Sequence, residues 1–76
     1  MSDLLTEVQA RRKLADPRLA RAIREAAGAS QQRIAQHLGV ADSTVQRWET
    51  GKRRPRGHLL VRYVQLLEQL RREVEL

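Results

Sequence analysis

Residues 30–56 have the sequence SQQRIAQHLGVADSTVQRWETGKRRPR, and this stretch decides the fold of the chain. Apolar side chains at helical spacing predict one helix over residues 31–38 and another over residues 42–50. Gly39 ends the first helix, and we expect a positive φ angle there because the turn is short and glycine adopts that angle without strain. Gly51 ends the second helix, and a run of basic residues follows it.

The apolar side chains of the two predicted helices are expected to form a wedge that sets the angle between them. They are Ile34, Leu38, Val40, Val45 and Trp48. Two angled helices joined by a tight turn are typical of a helix-turn-helix, in which the second helix enters the major groove of DNA. The outward face of that helix carries the candidate base contacts Asp42, Ser43, Gln46 and Arg47. Arg47 can grip guanine and Gln46 can grip adenine through two hydrogen bonds each, whereas Ser43 can approach base or phosphate.

Asp42 has two interpretations at the start of the second helix. It is a candidate helix cap, because Ala41 has no side-chain oxygen for that purpose. It is also a candidate base contact that accepts a hydrogen bond from a cytosine amine, although its charge repels nearby phosphates. We favour the helix cap and retain the base contact as the alternative.

The net charge of +6 is concentrated beside this motif. Residues 47–56 contain five basic side chains against Glu49 alone, a net +4, whereas the other 66 residues carry a net +2. A concentrated basic patch is expected for a polyanionic partner, and the alternative is a solvated surface that aids solubility. Only Trp48 and Tyr63 are aromatic, which disfavours single strands bound by stacking and favours duplex DNA.

Two further helices are predicted before the motif. The first covers residues 3–14, is capped by Ser2, and has an apolar edge formed by Leu4, Leu5 and Val8. The second starts at Asp16 and Pro17, a cap followed by proline at the first helical position, and ends near Gly28. Its expected buried side consists of Leu19, Ala20, Ile23, Ala26 and Ala27.

A last helix begins at His58 and carries a wide apolar stripe. Its members are Leu59, Leu60, Tyr63, Val64, Leu66, Leu67, Leu70 and Val74. That width permits packing on the core and on a second subunit. The loop at residues 52–57 has no apolar residue suited to a core, and Gly57 is spaced like the glycines that stop helices.

The complete pattern predicts an all-α domain of five helices without a strand. We expect residues 1–16 to form the N-terminal helix and residues 17–76 to form the DNA-binding unit, with the helix-turn-helix at residues 31–50. A chain of 76 residues buries a small core, so dimerisation would help it.

Nothing in the sequence predicts catalysis or a cofactor. There is no cysteine, and His37 and His58 have no partners at metal-ligand spacing. Ser30, Ser43 and Thr44 lack the partners of a nucleophile. No apolar run approaches the ~20 residues of a membrane span, and the N-terminus lacks a signal-peptide layout. We expect no enzyme activity, cofactor, metal, small-molecule substrate or membrane association, and a cytoplasmic location.

The central stretch resembles the helix-turn-helix domain of phage repressor and Cro proteins and their bacterial relatives, the lambda-repressor-like type. The matching positions are Ser30, Gln31, Ile34, Ala35, Leu38, Gly39, Val40, Val45, Trp48, Glu49, Gly51, Arg53 and Pro55. The resemblance covers about residues 18–70. Two features depart from it: Ala41 stands where relatives usually have Ser or Thr, and the fifth helix lies at the N-terminus instead of the C-terminus.

The resemblance implies a role for each candidate residue. Asp42, Ser43 and Arg47 would touch base edges, with Gln46 flanking them. The expected DNA backbone contacts are Gln31, Thr44, Lys52, Arg53, Arg54 and Arg56. Gln31 would also brace the first residue of the second helix, and Arg24 and Glu49 would form a buried salt bridge.

These expectations lead to three hypotheses for the function. The first is a dimeric, sequence-specific regulator of transcription, a small phage or prophage Cro-like repressor with a near-palindromic operator. The second is an antitoxin or anti-repressor that binds a protein through the apolar stripe of residues 59–74. The third is an architectural DNA-binding protein, which is disfavoured because no apolar side chains are placed for insertion into the minor groove.

Overall fold

The computed structural model describes residues 3–75, and these residues form five α-helices and no strand. The helices are α1 (Leu4–Lys13), α2 (Pro17–Ala26), α3 (Gln31–Leu38), α4 (Asp42–Thr50) and α5 (Gly57–Val74). The prediction of an all-α fold with an additional N-terminal helix is confirmed, and α3 and α4 lie where the helix-turn-helix was predicted.

Local signals in the sequence account for several helix ends. Asp16 caps α2 by accepting a hydrogen bond of 2.9 Å from the backbone N–H three residues on, and Pro17 occupies the first helical position. Ser30 caps α3 through a similar hydrogen bond of 3.1 Å. Gly39 has the predicted positive angle, with φ of 74°.

Two expectations about helix ends need correction. Ser2, the predicted cap of α1, lies outside the described residues, and the cap of α1 is Asp3, which accepts a hydrogen bond of 2.8 Å from the backbone N–H of Thr6. This hydrogen bond lowers the pKa of Asp3. Gly57 begins α5 instead of stopping a helix, and its φ of 58° explains the glycine at that position.

The main core lies where α2, α3, α4 and α5 meet. Its buried members are Ala20, Ile23, Ile34, Ala35, Leu38, Val45, Trp48, Tyr63 and Leu67. The rings of Trp48 and Tyr63 lie 4.7 Å apart between centroids and are tilted by 46°. Val40 packs against this core from the turn, so all five residues of the predicted wedge belong to the core or pack against it. Ala26, which was expected to be buried, is exposed.

The N-terminal helix α1 packs on α5 through residues other than its predicted apolar edge. Ala10 lies against Leu60, Val61 and Val64, and Leu14 contacts both this cluster and the main core. The predicted apolar edge is wrong, because Leu4, Leu5 and Val8 are exposed by 76%, 66% and 40%.

Helix geometry explains this exposure. At 100° per residue, Leu5 and Val8 lie about 140° and 160° away from Ala10 around the helix.

The wide apolar stripe of α5 is covered by residues of the same chain. Val61 meets α1, while Leu59 and Leu66 pack against the main core.

A buried ion pair joins α2 to α4. Nε and Nη2 of Arg24 donate to the two carboxylate oxygens of Glu49 at 2.6 Å and 2.9 Å. The side chains of Arg24 and Glu49 are only 11% and 3% exposed. Hydrogen bonding to Glu49 raises the pKa of Arg24, so its guanidinium stays charged. This is the pair that the resemblance implies.

Three further hydrogen bonds hold α3 in place. Nε2 of Gln31 donates to Glu49 at 3.0 Å, so Gln31 braces the end of α4 and not its first residue as expected. Arg62 on α5 donates to the backbone carbonyls of His37 and Leu38 at 2.9 Å and 3.2 Å. A cation at these last carbonyls stabilises the C-terminus of α3.

Replacing Glu49 by alanine should lower the free energy of unfolding by about 3–5 kcal/mol, because Arg24 is left charged and buried without its partner. Urea denaturation followed by circular dichroism measures the change. Glu25→Ala is the matched control, since Arg21 and Glu25 form a 3.4 Å pair with side chains 62% and 54% exposed. That control should cost no more than about 1 kcal/mol. Equal losses for the two variants would contradict a structural role for the buried pair.

Stability should fall at alkaline pH because of Tyr63. Burial raises the pKa of Tyr63 from 10.0 to about 12, so the folded state holds the phenol proton more tightly than the unfolded state. The resulting stabilisation is complete below pH 10 and is lost as the pH approaches 12. It amounts to roughly 2–3 kcal/mol.

The free energy of unfolding of the native protein and of Tyr63→Phe, measured across this pH range, tests the expectation. The variant keeps the ring beside Trp48 and lacks the phenol, so its stability should fall less. Parallel curves for the two proteins would show that the loss comes from other groups.

Candidate nucleic-acid interface

The exposed side of α4 carries the four predicted base contacts. Asp42, Ser43, Gln46 and Arg47 are all exposed, whereas Val45 and Trp48 are buried on the opposite side. Thr44 is half-buried at the edge. The sequence therefore predicted correctly which side of α4 faces solvent.

The capping interpretation of Asp42 is wrong. Asp42 is the first helical residue, and the cap position belongs to Ala41, which has an extended backbone and offers no side-chain hydrogen bond. The Asp42 carboxylate lies in the first turn, where negative charge complements the helix dipole. It remains exposed and available to a ligand.

Two open grooves flank α4. The basic groove is formed by Arg11, Thr44, Arg47 and residues 51–56, with Trp48 and Leu59 also in its wall. The polar groove is formed by α2, α3 and α4, and its wall includes Arg21, Arg24, Ser30, Gln31, Gln32, Asp42, Gln46, Glu49 and Thr50. At 100° per residue, the α4 residues of the two grooves lie about 180° apart around the helix. Ser43 lines neither groove and lies between them on the exposed side.

The two grooves differ sharply in charge. The basic groove has six cationic side chains and no acidic one: Arg11, Arg47, Lys52, Arg53, Arg54 and Arg56. In the polar groove, Arg21 and Arg24 are balanced by Asp42 and Glu49. The chain has 15 basic and 9 acidic side chains, so without these six cations the remainder is formally neutral. The whole net charge of the protein therefore belongs to one groove.

The cationic side chains of the basic groove are free to meet an anion. Among residues 3–75, none of the six makes a side-chain hydrogen bond or an ion pair. Arg24 and Arg62, by contrast, are engaged with a carboxylate and with backbone carbonyls. A set of unpaired cations on one surface is the electrostatic pattern expected for a phosphate backbone.

The loop that carries four of these cations is fixed to α4. The backbone N–H groups of Lys52 and Arg53 donate to the carbonyl of Arg47 at 3.0 Å and 3.2 Å. Pro55 is buried, which corrects the expectation that this loop has no residue suited to a core. Pro55 lies in the wall of a crevice beside Trp48 and Leu60. The loop is therefore held at both its start and its middle.

The predicted contact residues divide between the two grooves. Thr44, Arg47 and the loop cations share the basic groove, whereas Gln31, Asp42 and Gln46 share the polar groove. The amide of Gln31 is hydrogen-bonded to Glu49, and its phosphate contact stays a prediction. This separation means that the two flanks of α4 offer different chemistry.

Sequence reasoning missed Arg11 as a member of the basic groove. The only signal is the basic cluster at residues 11–13, and that cluster does not indicate which of its members faces the groove. Arg11 lines it because of the rotation at which α1 packs on α5.

Among residues 3–75, no group of three or more His, Asp or Glu side chains is placed to hold a metal ion. His37 and His58 are exposed on different helices. No helix among the described residues is long and apolar enough to cross a membrane.

Comparison with protein families gives a match that covers most of the chain. The model of a helix-turn-helix domain matches residues 18–76, which include α3, α4, α5 and all of α2 except Pro17, and exclude α1. No match was found among curated proteins or among solved structures. The family match agrees with the packed α3–α4 pair, the exposed side of α4 and the basic groove beside it. The chain belongs to the helix-turn-helix domain family, in which the second helix of the motif binds DNA.

Proposed function

We propose that the protein is a sequence-specific regulator of transcription that reads the major groove of duplex DNA with α4. The observation that carries this proposal is the basic groove beside α4, which contains the whole net charge of the chain in unpaired side chains. A neutral flank on the other side leaves the polar side chains of α4 to discriminate between bases.

The proposed base contacts follow from their positions on α4. Arg47 forms part of the wall of the basic groove and can donate two hydrogen bonds to guanine. Gln46 and Asp42 lie toward the polar groove, where Gln46 can pair with adenine and Asp42 can accept from a cytosine amine. Ser43 lies between them and can reach a base or a phosphate.

More of the proposed DNA backbone contacts lie in the basic groove than in the polar groove. In the basic groove, the contacts to phosphates come from Thr44, Lys52, Arg53, Arg54 and Arg56. In the polar groove, Gln31 stands at the N-terminus of α3, whose free N–H groups and dipole favour an anion. Most of the salt dependence of binding should therefore originate in the basic groove.

We propose a homodimer on a near-palindromic operator, because one α4 can read only a few base pairs and dimers of this motif bind half-sites about one helical turn apart. We further propose a Cro-like repressor of phage or prophage origin that acts in the bacterial cytoplasm, with no catalytic activity. The resemblance described for residues 30–55 supports this.

A second candidate is an antitoxin or anti-repressor that acts through a protein partner. The apolar width of α5, which first suggested it, is used by α1 and the core. What supports this candidate now is the exposed apolar edge formed by Leu4, Leu5 and Val8. Absence of binding to any duplex at low salt, together with a tight protein partner, would favour it over a regulator of transcription.

Selection from a random duplex pool tests the main proposal and supplies the operator. On the selected duplex, Arg47→Ala should lose about 1–3 kcal/mol of binding free energy and relax the preference at one base pair. Arg53→Ala should weaken binding to selected and scrambled duplexes alike. It should also reduce the salt slope by about 0.9 per bound chain.

Arg18→Ala is the control for both variants, since Arg18 is exposed on α2 and lines neither groove. It removes the same charge and should leave affinity and salt slope near their native values. If Arg47→Ala and Arg53→Ala lost affinity equally on both duplexes, the separation into base and backbone contacts would be wrong.

The proposed dimer has its own test. A duplex with two half-sites about 10 base pairs apart, centre to centre, should bind two chains cooperatively. Shifting one half-site by about 5 base pairs places it on the other side of the DNA and should remove the cooperativity. Sedimentation of the complexes gives the stoichiometry, and one chain per duplex on both DNAs would rule out the dimer.

A further inference from the structure

We infer that Arg11 on α1 contacts a phosphate of the bound DNA, so that the N-terminal helix forms part of the interface. This inference rests on the proposed DNA-binding function and adds to it, because the helix-turn-helix match begins at residue 18. Arg11 shares the basic groove with Arg47, Arg53 and Arg54. No other cationic residue of α1 lines that groove.

The packing of α1 sets the direction of Arg11. Ala10 is buried against Leu60 and Val61 of α5, which fixes the rotation of α1 about its own axis. The next residue is turned by about 100°, and this brings Arg11 to the wall of the basic groove. Arg12 is turned by a further 100° and is exposed outside it.

Arg11 also has apolar neighbours beside its side chain. It lies in the wall of the crevice that contains Pro17, Pro55 and Leu60, although the residue as a whole is exposed. An arginine in this setting can pack its methylene groups on apolar neighbours and keep its guanidinium in water. Its position is therefore more restricted than that of an arginine on a free helix surface.

No partner within the described residues 3–75 neutralises Arg11. Glu7 is one turn earlier on α1 and would be the nearest candidate by spacing, yet the two form no ion pair. An oxygen of Glu7 lies 3.5 Å from the place where a Cβ on Gly57 would stand, so Glu7 is directed to the start of α5. Negative charge is favourable there because of the helix dipole. Arg11 is left as a sixth cation in a groove without an acid.

The expected ligand is a phosphate and not a base. Arg11 is not on α4, which enters the major groove, but beside the loop that is proposed to hold the DNA backbone. A guanidinium can bind phosphate oxygens through two hydrogen bonds. Such a contact adds affinity without sequence preference.

Arg11→Gln and Arg12→Gln form a matched pair, because both remove one exposed charge from adjacent positions of α1. Binding of each to the selected duplex and to a scrambled duplex is measured between about 50 and 200 mM salt. Arg11→Gln should reduce the salt slope by about 0.9 per bound chain on both duplexes. Its affinity deficit relative to native protein should thus shrink by about threefold across that range. Arg12→Gln should keep the native slope.

Arg11→Lys separates a phosphate contact from a packing effect, because it keeps the charge and should restore the slope. Partial unfolding of a variant lowers the apparent affinity at every salt concentration but leaves the slope unchanged. Equal slopes for Arg11→Gln and Arg12→Gln, or a slope that lysine does not restore, would overturn the inference while native binding stands. Absence of native binding to either duplex at low salt would instead overturn the proposed function as well.

Discussion

Glu49 is the most deeply buried charged residue among the described residues, and its carboxylate accepts hydrogen bonds from both Arg24 and Gln31. A buried charge is costly unless its partners are well placed. The three residues come from α4, α2 and α3, so these helices satisfy the carboxylate only when they meet in one arrangement. The apolar wedge around Trp48 and Val45 permits close packing, and the Glu49 hydrogen bonds restrict which packing occurs. The direction of α4, and with it the position of both grooves, depends on this restriction.

The charges of the basic groove oppose its folded arrangement. Six like charges close together repel each other, and no acid within the groove reduces this repulsion. The loop that carries four of them has to be held by other means. The carbonyl of Arg47 fixes its start, and the buried Pro55 fixes its middle. The stability of this region therefore comes from backbone hydrogen bonds and apolar burial, which leaves the charged groups available for binding.

Much of the fold was predictable because its signals are local. Asp16 with Pro17, Ser30 and Gly39 act on the backbone within a few residues, and each behaves as expected. The outward side of α4 was also predictable, since it is the complement of the apolar positions. The capping of α4 was not, because Ala41 takes the cap position without a side-chain bond and leaves Asp42 as the first helical residue.

Apart from the Arg24–Glu49 pair that the resemblance implies, features that depend on tertiary contacts were not predictable. The sequence of α1 offers large apolar side chains at Leu4, Leu5 and Val8, yet the buried residue is the small Ala10, because a small side chain lets two helix backbones approach closely. Arg62 finds its partners on α3, 24 and 25 residues earlier in the chain. The membership of Arg11 in the basic groove follows from the docking of α1, and the basic cluster at residues 11–13 did not single it out.

The distribution of charge between the basic groove and the neutral remainder makes the molecule a strong electric dipole. Near a duplex, the field of the phosphates exerts a torque on such a dipole and turns the groove toward the DNA before any contact forms. At physiological salt this torque acts only within about 8 Å, the distance over which ions screen the field. Within that distance, rotation into the correct orientation is downhill, so a larger fraction of collisions leads to productive encounter. The placement of six side chains on one side of a small protein thus influences how fast it finds DNA as well as how tightly it holds it.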